Sequence, residues 1–260
     1  MAVRHRLKHF VTRGATPSNQ HANYRDAQIS ELIKGKRVCF VGASPILNGK
    51  ATGELIDSFD VVVKTGGAAW IDSSEYKKCY GSRIDILYTN SQFSKLVSPF
   101  NDRLNKIKHF RLKFPERRWL STGKASAMYK SWNQIASLVV NPTLGTIATH
   151  DILSLEPSEL YLTGMDFYTS REYTQEERKH TEYVDGYIVK EFVDNYLATG
   201  RPMPDYKGKK WDLHNHYSNS MYFKGLLDQD KISMPDYVKE ALFESIKRFA
   251  GVDSPACKKK

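Results

Sequence analysis

The apolar run Val38-Cys39-Phe40-Val41 starts directly after Lys36-Arg37 and stops at Gly42-Ala43-Ser44-Pro45. Small residues and a proline do not continue a strand, so the pattern predicts a buried strand followed by a turn. Gly53–Ile56 then leads to Asp57-Ser58-Phe59-Asp60, and Val61-Val62-Val63 predicts a second strand. Arg83–Tyr88 (RIDILY) predicts a third, and Glu159–Gly164 (ELYLTG) a buried strand ending in glycine. Helical spacing is expected over 26–36, from Thr146 to about Leu155, and again across 213–249. Residues 102–118 are dense in Lys and Arg with interleaved Phe. They read in part as an amphipathic helix, its apolar side in the core and the remainder facing an anionic ligand. Leu138-Val139-Val140 runs into a turn, Asn141-Pro142-Thr143-Leu144-Gly145. The polar, Tyr-rich stretch 169–210, with Gly200-Arg201-Pro202-Met203-Pro204, reads as a lid insertion. Alternating strands and helices predict an α/β chain: one Rossmann-like nucleotide-binding domain with a mainly parallel sheet.

A turn of small residues after a buried strand lets backbone N–H groups approach a phosphate. Gly42-Ala43-Ser44 lacks the three spaced glycines of the dinucleotide fingerprint, and no Gly-Lys-Ser/Thr follows it, which removes the P-loop. At 260 residues and 40 % hydrophobic, the chain is long enough for one sizeable core. The expected division is a basic arm over 1–25, a catalytic-size domain over 26–250 and a basic tail over 251–260. The arm carries Lys, Arg and His but no carboxylate, and suits a solvated tail, a membrane-surface helix or a nucleic-acid arm. A formal charge of +10 favours an acidic ligand or surface: nucleotide, nucleic acid, anionic lipid or anionic glycan. No run of about 18 apolar residues predicts a transmembrane helix. The N-terminus lacks the apolar core of a secretory signal. Cys39, Cys79 and Cys257 make neither a metal pattern nor a disulfide framework, so a reduced, cytoplasmic protein is expected.

The stretch Cys39-Phe40-Val41-Gly42-Ala43-Ser44, then Ile56-Asp57-Ser58-Phe59-Asp60-Val61-Val62, resembles the large sialyl motif of eukaryotic-type sialyltransferases. Gly81-Ser82-Arg83 matches the family's G-S-R, and Pro142-Thr143-Leu144-Gly145 with Leu160–Gly164 is similar to its small motif. The second half resembles the bacterial sialyltransferases, in which a strand ends S-G-I-D-F-Y. It stands here as Thr163-Gly164-Met165-Asp166-Phe167-Tyr168, followed by Tyr173 and by His216-Tyr217-Ser218-Asn219-Ser220 for H-x-x-N-[ST]. The resemblance covers about 38–226.

It implies a metal-independent glycosyltransferase that moves sialic acid, or a related keto-acid sugar, from a CMP-activated donor to an acceptor hydroxyl, with no cofactor. Such a reaction needs the departing phosphate stabilised and the acceptor hydroxyl deprotonated; tyrosine O–H groups serve the first and a histidine the second. The resemblance gives the phosphate to Tyr168 and Tyr173 and the base to His216. The eukaryotic pattern H-x4-E selects His214 instead, with Asn219 or Met221 where its Glu would stand. Donor contacts are expected from Gly42, Ala43, Ser44 and Gly66, from Asn141, Thr143 and Gly145, and from Gly164 and Asp166. Each has a plainer alternative: Ser and Thr at turns cap helices, and the glycines serve the backbone. Two departures bear on the sugar. Ala43 replaces the family's asparagine, and a second asparagine is missing near Lys64-Thr65-Gly66; another CMP-linked sugar such as Kdo fits these changes. The eukaryotic disulfide from the large-motif cysteine has no second cysteine here, which agrees with a reducing compartment and a viral or bacterial enzyme. Two alternatives remain open: a nucleotide-sugar transferase modifying viral DNA bases through the basic segments, and a non-catalytic nucleotide-sugar binder. The partners expected are thus the donor, a glycan or other hydroxyl acceptor and, through the basic arm, nucleic acid or an anionic membrane surface.

Overall fold

The structure is a computed structural model and describes residues 19–65, 74–89, 106–112, 123–167, 169 and 215–250. Helix α1 (Asn19–Ile33) precedes strand β1 (Arg37–Val41), and a 3-10 turn at Pro45–Leu47 and helix α2 (Gly53–Asp57) lead to β2 (Val61–Thr65). Helix α3 (Ser74–Tyr80) precedes β3 (Ile86–Thr89), and β4 (His109–Leu112) and β5 (Ala125–Ala127) follow. Helices α4 (Tyr129–Ala136) and α5 (Leu144–Leu153) connect β5 to β6 (Glu159–Thr163), and α6 (His216–Asp228) and α7 (Asp236–Phe249) close the domain. The strands form one six-stranded parallel sheet in the order β5-β4-β3-β2-β1-β6. This is the α/β architecture that the alternation of strands and helices predicts.

Both faces of the sheet are covered, which is why its central strands read as unbroken apolar runs. Val38, Phe40, Val61, Val63, Ile86, Tyr88, Leu160 and Leu162 share one core with Ile33 of α1, Ile135 of α4, Ile147 of α5, Phe223 of α6 and Leu242 of α7. Cys39, Val41 and Val62 point to the other face, against Leu47, Ile56, Phe59, Tyr76 and Tyr80. Cys39 and Cys79 are buried thiols, and burial pushes that of Cys39 up to about 12.

Three expectations change. The first helix begins at Asn19 rather than 26. The stretch 102–118 forms no α-helix among its described residues: His109–Leu112 is a buried strand beside β3. Two of its described cations are turned to carboxylates of the fold instead of a ligand. Lys108 pairs with Asp85 at 2.7 Å and Arg111 with Asp151 at 2.7 Å. The strand expected over 83–88 starts only at Ile86, because Arg83 is a clip. Its guanidinium donates to the carbonyls of Asp57 and Phe59, both at 2.8 Å, and to Asp85 at 2.8 Å. Asp57 in turn accepts the amides of Ser82 and Arg83 at 2.8 and 3.1 Å. Gly81, at φ +76°, lies so close that a Cβ would stand 2.6 Å from the Asp57 carboxylate. The I-D-S and G-S-R segments therefore lock the starts of β2 and β3 together, at the end of the sheet away from the strands' C-termini.

The sheet grows from β1 through β2 to β5 in one direction and then adds β6 on the other side of β1. In a parallel α/β sheet this reversal opens a crevice at the C-terminal ends of the two strands. Here that place is flanked by Gly42 and Gly164.

Candidate functional site

The turns after β1 and β6 are in backbone contact. The Gly42 amide donates to the Thr163 carbonyl at 2.8 Å, and the Ser44 amide to the Gly164 carbonyl at 3.0 Å. A Cβ on Gly42 would stand 2.3 Å from the Gly164 oxygen. Gly164 has φ +64°, and a Cβ there would lie 2.7 Å from the Gly42 oxygen. Both residues are glycine because two backbones meet. Ser44 is also spent inside the fold: its Oγ accepts the Ile46 amide at 3.3 Å, and its carbonyl accepts the Tyr80 hydroxyl at 2.9 Å. Ala43 lies between them, half-buried. Gly145 is different, since a Cβ there would meet only Thr143 Oγ1 at 3.7 Å and Met165 Cε at 4.0 Å. Gly42→Ala is therefore expected to destabilise the fold by about 1–3 kcal/mol, the usual cost of overpacking. Gly145→Ala should leave stability within about 1 kcal/mol of the parent or raise it. Urea midpoints for the two variants check this; equal midpoints would dissociate Gly42 from the strand contact.

The second turn is built around Asn219. Asn141 takes the left-handed conformation at φ +48°, which an asparagine tolerates. Thr143 then caps α5: its Oγ1 accepts the Thr146 amide at 3.1 Å. From the first turn of α6, Asn219 Oδ1 accepts the Thr143 amide at 2.9 Å and also the Thr146 hydroxyl, while its Nδ2 donates to the Asn215 carbonyl at 2.7 Å. Asn215 caps α6 through the Ser218 amide at 2.8 Å. One buried amide thus ties the start of α5 to the start of α6. The cap uses the amides of Thr143 and Thr146; those of Leu144 and Gly145 belong to the same positive helix end, where anions are favoured.

Met165 joins this end to the glycine contact. Its side chain is the neighbour that added Cβ atoms at both Gly42 and Gly145 would meet. Asp166 is buried, and its carbonyl accepts the Thr169 amide at 3.0 Å. Phe167, at φ +50°, sets its ring 5.1 Å from that of Phe223 on α6. His216 opens α6, half-buried, with its ring centroid 5.0 Å from that of Phe249. The turns 42–44, 141–145 and 164–166 and the first turn of α6 therefore belong to one assembly. Tyr168, Tyr173, His214 and Gly66 lie outside the described residues, as do the lid beyond Thr169, residues 1–18 of the arm and the tail 251–260.

Neither Asn219 nor Met165 is legible as a site residue from its type, although Asn219 stands in the His-x-x-Asn run. Lys64, in the Lys64-Thr65-Gly66 stretch near which the sequence pattern lacks its asparagine, turns away from the crevice. Its ammonium donates to the Gly81 carbonyl at 2.8 Å and lies 5.0 Å from the centre of the Tyr76 ring. Burial lowers its pKa to about 8 against the opposing pull of Asp57. Among the described residues no three His, Cys, Asp or Glu side chains converge to hold a metal ion, and no helix is long and apolar enough to cross a membrane.

No protein-family model matches the chain, and no curated protein matches it by sequence. Solved structures do. A mammalian sialyltransferase in complex with Gal-beta-1-3GalNAc-ortho-nitrophenol is 15 % identical, covering 86 % of this chain and 81 % of that one, with a TM-score of 0.47. A second structure of a mammalian sialyltransferase is 14 % identical over 86 % and 81 % of the two chains, with a TM-score of 0.46. The sialyltransferase CstII from Campylobacter jejuni, in complex with cytidine-5'-monophosphate, is 16 % identical over 63 % of this chain and 78 % of that one, with a TM-score of 0.39.

Proposed function

We propose that this chain is a glycosyltransferase that moves a sugar from a CMP-activated donor to an acceptor hydroxyl. The observation that carries this reading is the assembly at the switch point. The strand-end turns 42–44 and 164–166, the start of α5 and the helix bearing His216 are joined by Asn219, Met165 and the Phe167–Phe223 contact. Each of these pieces also belongs to a sialyltransferase-like motif in the sequence.

In this reading the donor phosphate lies at the start of α5. The Leu144 and Gly145 amides and the helix's positive end stabilise the charge that grows as the sugar–phosphate bond breaks. Gly145 leaves room for that approach. Tyr168 and Tyr173 add hydroxyl donors to the leaving phosphate, and His216 takes the proton from the attacking acceptor hydroxyl. Asn219 fixes the distance between base and phosphate, because it binds the cap of α5 one turn after His216. The sugar is sialic acid or a related keto-acid sugar. Both jobs fall to this chain's own side chains and amides, so the transfer proceeds without a divalent metal. Buried free thiols at Cys39 and Cys79 suit a reducing compartment. DNA as the acceptor is disfavoured by the described part of the basic stretch, where Lys108 and Arg111 are already paired with carboxylates.

CMP is expected to raise the melting temperature. At 100 times its Kd a ligand adds about 2.7 kcal/mol to folding stability. A shift with UDP or GDP and none with CMP would discard the CMP donor and keep the transferase class. With a CMP-sugar, turnover should be the same with and without EDTA; activity lost to EDTA and restored by Mn²⁺ or Mg²⁺ would refute the metal-free mechanism. Absence of both transfer and donor hydrolysis, with CMP bound, would leave a nucleotide-sugar binder.

A further inference from the structure

The side chain of Met165 reaches from one strand-end turn to the start of α5. Its Cγ lies 2.8 Å from where a Cβ on Gly42 would stand, and its Cε 4.0 Å from where one on Gly145 would stand. The thioether therefore spans the distance between the end of β1 and the first turn of α5. Gly42 and Gly145 put no side chain of their own against it. Met165 is half-buried, so part of its surface remains open to solvent. Ile46 and Leu144 are half-buried too and pack on the same core.

Apolar side chains thus stand beside a helix end that favours anions. A nucleotide has the same two parts, a charged phosphate and a flat ring with apolar faces. With its phosphate at the amides of Leu144 and Gly145, its ring lies along Met165. A thioether suits that contact, because sulfur is polarisable and packs favourably against aromatic rings. The bacterial sialyltransferase motif S-G-I-D-F-Y has isoleucine where this chain has Met165. Isoleucine is branched at Cβ and stiff at χ1, and its longer arm ends one atom sooner. From beside Gly42 it stops short of the place that Met165 Cε takes beside Gly145.

Methionine in this place closes the span between the two turns and narrows the space beside the phosphate. We propose that Met165 is a specificity-determining residue of the nucleotide site. Its thioether is the surface on which the base lies, and its reach toward Gly145 admits a single pyrimidine ring and excludes a fused purine. The inference rests on the reading of the α5 start as the phosphate site; it does not require that the pyrimidine be cytosine.

The test is titration calorimetry of the full chain and of Met165→Ala and Met165→Ile with CMP, UMP, GMP, AMP and inorganic phosphate. The melting temperature of each ligand-free protein is measured alongside. The parent should bind the pyrimidine nucleotides about tenfold or more tighter than the purine ones, the scale on which an apolar wall discriminates by size. Met165→Ala should weaken CMP about tenfold and bring the two classes together, and Met165→Ile, which restores the motif residue, should fall between. Inorganic phosphate touches only the helix start and should bind all three proteins alike. A merely structural role would lower the melting temperature and weaken every ligand in step, phosphate included, without moving the pyrimidine-to-purine ratio. That pattern, a parent that prefers purines, or a ratio unchanged in both variants would overturn the proposal. CMP binding with a ratio indifferent to Met165 defeats the inference and leaves the donor reading standing. UMP bound in a Met165-dependent way, with CMP not bound, does the reverse. Absence of any nucleotide binding overturns both.

Discussion

Asp151→Ala is expected to remove about 3–5 kcal/mol of stability, the cost of leaving a buried charge without its partner. Asp151 is 1 % exposed on α5, and its carboxylate accepts Arg111 Nε at 2.8 Å, Arg111 Nη2 at 2.7 Å and the Tyr88 hydroxyl at 2.6 Å, together with the Ser131 hydroxyl. Arg111 is 5 % exposed and completes its set with Asp26, Ser126 and the Ala127 carbonyl. Truncating Asp151 leaves the buried guanidinium only the exposed Asp26 as a counter-charge. A domain whose total stability is about 5–15 kcal/mol does not absorb such a loss easily. Urea denaturation gives the number, and the double replacement Arg111→Met/Asp151→Leu separates two explanations. If the lone charge is the damage, the double variant recovers much of the stability. A single variant within about 1 kcal/mol of the parent would show that the pair is not buried as described.

The same network has a pH signature. Burial pushes the Asp151 carboxyl up, but the Arg111 guanidinium and the Ser131 and Tyr88 hydroxyls outweigh it and hold the group below its ordinary value of 3.8. A lowered folded-state value means that the unfolded chain binds the proton first. The contribution is complete above about pH 4–5 and fades as pH falls through the folded value. Acid unfolding should therefore begin below about pH 4 and be blunted in the Arg111→Met/Asp151→Leu chain.

The second large effect concerns the base. With a CMP-sugar donor, His216→Ala is expected to lower kcat by about 10²–10⁴-fold, the scale for a positioned general base. Donor Kd should stay close to the parent value, because the donor is assigned to the start of α5. His216 also packs on Phe249, so the melting temperature must be measured alongside; a fold weakened in step with the rate would make the histidine a packing residue. Tyr168→Phe should act differently. It deletes a donor to the leaving phosphate and slows donor hydrolysis as well as transfer. His214→Ala is the control for register and should be milder. An inactive His214→Ala beside a near-normal His216→Ala would move the base to His214. Near-normal rates in both would remove histidine base catalysis from this segment.

The local sequence determined those elements whose signal is contained in their own residues. Val38–Val41 and Val61–Val63 are β-branched or aromatic runs buried on both sides, and a strand of that kind needs no partner to be recognised. The same holds for Gly42 and Gly164 as strand ends, whereas the helix expected from Thr146 starts at Leu144, behind the Thr143 cap. The site pieces were legible only one by one, as motif fragments. What joins them is the tertiary structure: Asn219 reaches Thr143 across 76 residues of sequence, and Gly42 and Gly164 exclude each other's side chains because β6 returns beside β1. The basic stretch around His109–Leu112 misled for a physical reason. Lys and Arg look solvent-facing until a counter-charge is known, and the one for Arg111 stands 40 residues away on α5. Periodicity over four residues cannot separate a strand from a helical turn, so the neighbour β3 decided that segment.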